Sequence, residues 1–133
     1  MISASDPHLS ICAGVATIFL VDLVDQACIP CRGGVPPLVL KVAEELLKKL
    51  GDGWFLNPVG HLERSYSFKS FGDAMKLANA VAEIADEENH HPDLYVAWGQ
   101  CRVEIWTHKI DGLTESDFYF AAKVDRASAD MNT

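Results

Sequence analysis

A chain of 133 residues, 49% hydrophobic and 23% charged, has the length and composition of one globular domain that buries its core without staples. Eleven Lys and Arg against nineteen Asp and Glu leave a net charge of −8. That balance argues against a nucleic-acid backbone or an anionic membrane as direct partner, because both demand a basic face.

The chain opens on an apolar run, "ICAGVATIFLV", residues 11 to 21. No Lys or Arg precedes it, "DLVDQ" follows it, and it is too short to span a bilayer, so it reads as neither signal peptide nor membrane helix. Residues 1–27 are expected to be an N-terminal extension, disordered or forming an extra helix. Of the four cysteines, Cys12, Cys28, Cys31 and Cys101, the middle two form a C-x-x-C. A structural zinc site needs a second such pair, and "CIPCRGGVPP" is rich in loop formers, so Cys28 and Cys31 read as structural or incidental. Without a disulfide framework the protein is expected to be cytoplasmic.

Residues 29–37 read as a linker. From Leu38 to Leu50, apolar Leu38, Val42, Leu46 and Leu50 recur every four residues, which predicts an amphipathic helix stopped by Gly51 and Gly53. "WFLNPVGHLERSYSF" predicts two short strands around a turn at Asn57 to Gly60. Ser70 with Asp73 makes a capping box for a helix through about Asn89, with the stripe Phe71, Ala74, Met75, Ala78, Val81, Ala82 and Ala85. Pro92 disfavours helical geometry at His91 and ends it. "LYVAW" and "CRVEIWTH" predict a hairpin joined by Gly99-Gln100 as a type II′ turn. Thr114 with Asp117 caps a last helix, Glu115 to about Val124, ahead of a frayed polar tail that includes residues 128–133. The order α-β-β-α-β-β-α predicts an α+β domain: a four-stranded antiparallel sheet with three helices packed on one face.

The adjacent pair His90 and His91 asks for an explanation: a metal site, an acid/base pair, or an accident at a helix end. With Gly99-Gln100 as the turn, the hairpin ladder brings His91 opposite His108, so three of the five histidines converge. Asp86 stands four residues before His90, where a helical carboxylate can orient an imidazole. Three imidazoles could serve zinc as a catalytic ligand set, but side chains of the neighbours His90 and His91 diverge, so acid/base work is preferred over metal. His8 and His61 read as surface residues, and Trp106 could equally be core.

"HHPDLYVAWGQCRVEIWTHKIDGLTESDF", residues 90 to 118, resembles the signature of the pterin-4a-carbinolamine dehydratase family. The resemblance extends back through "FKSFGDAMKLANAVAEIADEENHH", Trp54, the helix at 38–50 and "CIPCRGGVPPL", covering residues 28–127. It implies loss of water from 4a-hydroxytetrahydropterin to give quinonoid dihydropterin, as in tetrahydrobiopterin recycling, with neither metal nor organic cofactor. Carried over by position, it implies catalytic roles for His90, His91 and His108, with Asp86 where relatives often have Glu. Asn89, Trp106, Thr107 and Lys109 fall, with the histidines, in its substrate-contacting stretches. It further implies a homodimer or homotetramer and a functional link to an aromatic amino acid hydroxylase. The rival reading on the same fold is a non-catalytic binding role, as dimerisation cofactor or assembly factor. A zinc hydrolase is the third.

Overall fold

Period-two alternation in "LERSYS" and "QCRVEI" puts Leu62 and Tyr66, with Cys101, Val103 and Ile105, on one side of a sheet, and all five are buried. The computed structural model describes residues 22–29 and 34–131. The apolar run at 11–21, His8, Cys12 and Cys31 lie outside the described residues. A 3₁₀ turn at Leu23–Asp25 precedes helix α1 (Leu40–Leu47), strands β1 (Phe55–Leu56) and β2 (Leu62–Ser67), and helix α2 (Phe71–Glu88). Strands β3 (Asp93–Ala97) and β4 (Gln100–Ile105), a 3₁₀ turn at His108–Ile110 and helix α3 (Glu115–Met131) complete the order. The strands pair antiparallel in the order β1-β2-β4-β3, so the long central pair is made of residues distant in sequence. The three helices and the four-stranded antiparallel sheet are those expected.

Local details differ from the sequence expectations, each for a packing reason. In α2 the buried set is Ala74, Leu77, Ala78, Val81 and Ala85, while Phe71 and Ala82 are exposed. The stripe is therefore rotated toward Leu77, a single i, i+3, i+4 series. The last helix does not fray after Val124 but runs on to Met131, because Ala127 and Met131 stay packed against the core. The hairpin turn is Trp98-Gly99: Ala97 pairs with Gln100 and Asp93 with Glu104. Gly99 has φ +74°, and that positive φ falls on the second central residue rather than the first, as a type II′ turn would have required. Phe118, Tyr119 and Phe120 are all buried within the single chain. Three consecutive helical residues cannot share one face, so covering them takes two sides. The second side is the segment 22–29, whose Cys28 Sγ donates to the Ser116 carbonyl and whose Val24 carbonyl accepts from Lys123.

One carboxylate ties the sheet to α3. Asp125 accepts from Trp54 Nε1 at 2.9 Å, the Tyr66 hydroxyl at 2.6 Å and Arg64 Nη1 at 2.8 Å. None of the helices among the described residues is long and apolar enough to cross a membrane.

Candidate functional site

The site begins where α2 stops. Asn89 adopts the left-handed conformation, φ 52° and ψ 44°, and both its N–H and that of His90 close on the Ala85 carbonyl. Asn tolerates that geometry better than most residues, because its short polar side chain can bond locally. The swing at Asn89 takes the following residues off the helix. It also undoes the i, i+4 relation expected between Asp86 and His90.

His90 and His91 leave the helix end in different directions. His90 is nearly buried, and its Nε2 lies 2.6 Å from Oδ1 of Asp117, which is fully buried. Asp117 Oδ2 in turn accepts from the Thr107 hydroxyl at 2.9 Å and the Thr114 N–H at 2.8 Å. A carboxylate that already takes two donors on Oδ2 accepts on Oδ1 as well, so the contact makes Nε2 of His90 the N–H nitrogen and leaves Nδ1 for other work. His91 pairs with Asp86 at 3.1 Å, and both are exposed. Asp86 therefore serves His91 and not His90, and it stands outside the cleft.

The third histidine arrives by a route other than the one expected. The observed hairpin register, extended by two rungs, sets His91 against Trp106, not His108. His108 enters instead through the 3₁₀ turn closed by the Thr107–Gly112 bridge, and its ring stacks on the Trp106 indole at 4.3 Å. A cleft of about 270 Å³ results, lined by Asn89, His90, His91, Trp106, Thr107, His108 and Lys109. Among the described residues no three His, Cys, Asp or Glu side chains are grouped to hold a metal ion.

Two residues escaped the sequence reading. Asp117 read only as a helix cap; it is that, and it is also the partner of His90. His61 read as surface, yet it is buried, stacked on the far face of Trp106 at 4.0 Å, and bonded through Nδ1 to Glu104 at 2.7 Å. Its signal lay in the β2–β4 register: Leu62 opposes Ile105, so the next residue outward on each strand, His61 and Trp106, are neighbours. Burial works to raise the Glu104 carboxyl, but hydrogen bonds from His61 and Asn57 and the charges of His61 and Arg102 outweigh it. They hold the group below the usual carboxylate range.

Comparison with known proteins adds the following. The family model described as Pterin 4 alpha carbinolamine dehydratase matches residues 36–127. A Rickettsia bellii protein named "Putative pterin-4-alpha-carbinolamine dehydratase" is 55% identical over 103 residues, covering 77% of this chain and 91% of its own. One of the same name from Rubrobacter xylanophilus is 50% identical over 105 residues, covering 79% and 97%. A crystal structure from Brucella melitensis, described as a transcriptional coactivator/pterin dehydratase, superposes with a TM-score of 0.65 at 30% identity. It covers 69% of this chain and 98% of its own.

Proposed function

The chain belongs to the pterin 4 alpha carbinolamine dehydratase family, and from that premise we propose that it dehydrates a 4a-hydroxytetrahydropterin to the quinonoid dihydropterin. The observation that carries the reading is one cleft lined by three histidines, one of them backed by a buried carboxylate. The reaction needs only proton transfers. An acid protonates the 4a-hydroxyl, the N5 lone pair forms the C4a=N5 bond as the C4a–O bond breaks, and water leaves. A base then takes the N5 proton.

Imidazole, with an ordinary pKa near 6.5, can fill either role around neutrality. His90 suits the base: Nδ1 accepts the proton while Asp117, on Nε2, stabilises the imidazolium that forms. His108, exposed at the cleft mouth, suits the acid. Asn89, Thr107 and Lys109 supply polar contacts for the pterin ring, and His91 forms an outer wall, with Asp86 behind it. Trp106 has imidazoles against both faces, so it offers substrate its edge rather than a stacking surface.

The expectations of a homodimer or homotetramer, a cytoplasmic location and a link to an aromatic amino acid hydroxylase belong to the same proposal. A purely binding role would not require three histidines around one cleft, so catalysis is the better fit. Stopped-flow dehydration of a chemically generated carbinolamine by the purified protein is the test. Rate acceleration that survives exhaustive chelation is expected. No acceleration over buffer, or loss on chelation with recovery on adding zinc, would overturn the reading.

A further inference from the structure

Trp106 carries an imidazole on each face, and only one of the two lines the cleft. His108 stacks at 4.3 Å with 24° between the planes, and His61 stacks at 4.0 Å with 2°. Among the described residues the His108 ring has no hydrogen-bond partner, so the indole is what orients it. The indole plane is in turn set from behind by His61.

His61 is itself clamped. Its Nδ1 donates to Glu104 at 2.7 Å, its backbone N–H donates to Asn57 Oδ1 at 2.9 Å, and its carbonyl accepts from the Asn57 N–H at 2.8 Å. Asn57 Nδ2 reaches both Glu63 and Glu104 at 3.0 Å. Those two glutamates stand directly opposite across β2 and β4, an arrangement that repels unless donors sit between them. The pairing makes sense as a cradle for His61: Glu104 holds the imidazole against the indole, and Asn57, bonded to both glutamates, holds Glu104 and the His61 backbone in place.

We infer that His61 is a positioning residue, acting through Trp106 to fix the ring of His108. The catalytic consequence rests on the dehydratase reading above; the geometric one does not. Small misplacements of a reacting group cost rate without altering substrate binding to the same degree. The loss is therefore in kcat rather than in KM.

The test compares His61→Ala, which removes the ring, with His61→Phe, which keeps a flat ring but not the Glu104 bond. In the wild-type protein the indole ring current should shift the His108 ring protons upfield in the NMR spectrum. His61→Ala should move them toward the position of an exposed histidine and lower kcat about tenfold, with KM within about twofold. His61→Phe should restore both. Should the alanine variant not fold, Glu104→Ala, which cuts the clamp outside the stack, should move the same protons in the same direction. Unmoved His108 resonances, or full kcat in an active enzyme despite moved ones, would overturn the inference. A wild-type protein that shows the expected shifts but no dehydration would support the positioning and sink only the proposed reaction.

Discussion

Two histidines adjacent in sequence carry different chemistry because their second nitrogens end on different partners. His90 Nε2 meets a carboxylate sealed from water, and His91 Nε2 meets one that is largely exposed. An exposed pair contributes about 0–1 kcal/mol after solvent screening, whereas leaving a buried carboxylate without its donor costs about 1–3 kcal/mol or more. His90→Ala and His108→Ala should each lower dehydration turnover by about 10²–10⁴-fold. Asp86→Ala should change it far less, and steady-state rates of the three variants side by side decide the order; equal losses would place the site elsewhere. Glu104 carries a pH signature. Its carboxyl is held below the usual range, so its stabilisation is present above the unfolded value, about 4.3, and is lost as pH falls through the folded one. The Tm advantage of wild type over Glu104→Gln should therefore be full at neutral pH and shrink below about pH 4. Thermal melts across that range check it, and a gap independent of pH would count against the His61–Glu104 pair.

At the scale of elements, the hairpin shows how a two-residue slip relocates a site. Reading the turn as Gly99-Gln100 aimed His91 at His108; the turn is Trp98-Gly99, and the ladder runs two rungs differently. Both registers keep the same residues facing the core, because side chains alternate with period two. Hydrophobic pattern therefore cannot choose between them. What chooses is the close approach of the turn to the end of β2, where the Phe68 N–H donates to the Gly99 carbonyl at 2.8 Å. A Cβ on Gly99 would sit 3.0 Å from the Phe68 carbonyl oxygen, at a φ that L side chains rarely adopt. Gly99→Ala should destabilise by about 1–3 kcal/mol, read as a Tm lowered by several degrees. An unchanged Tm would mean that the turn reshapes freely.

For the whole molecule, three successive aromatics on α3 suggest, from sequence, a surface that another chain covers, and the fold removes that argument. Phe118, Tyr119 and Phe120 are covered from inside, by the core on one side and by the segment around Leu23 and Cys28 on the other. Among the described residues the sheet has two edges, the two-residue β1 and the longer β3. Leu94 and Tyr95 are exposed on β3, and Trp98 at the adjoining turn is 73% exposed. An edge strand with unpaired backbone groups and apolar side chains is the part of this surface most able to accept a second copy. Light scattering at micromolar concentration should report a dimer or larger. Leu94→Lys should shift it toward monomer, and a wild-type monomer would remove the expectation of assembly.

Much of the fold was legible in local pattern, because capping residues, glycines and apolar periodicity act within a few positions along the chain. The helix beginning at Ser70, the strands around Asn57 to Gly60 and the cap at Thr114 with Asp117 all lie where those signals put them. The pattern also put His90, His91 and His108 near one another at the ends of the hairpin, although by the wrong register, whereas Asn89, Trp106, Thr107 and Lys109 were reached only through the family resemblance. The sequence could not determine which carboxylate serves which histidine, or that His61 lies behind Trp106. His90 and Asp117 are 27 residues apart, and His61 and Glu104 are 43 apart. Those distances close only when β2 pairs with β4 and α3 packs against α2, and no local signal encodes the register of a non-local pairing. Tertiary packing decided them, because a buried carboxylate must find its donors in whatever element the fold brings beside it.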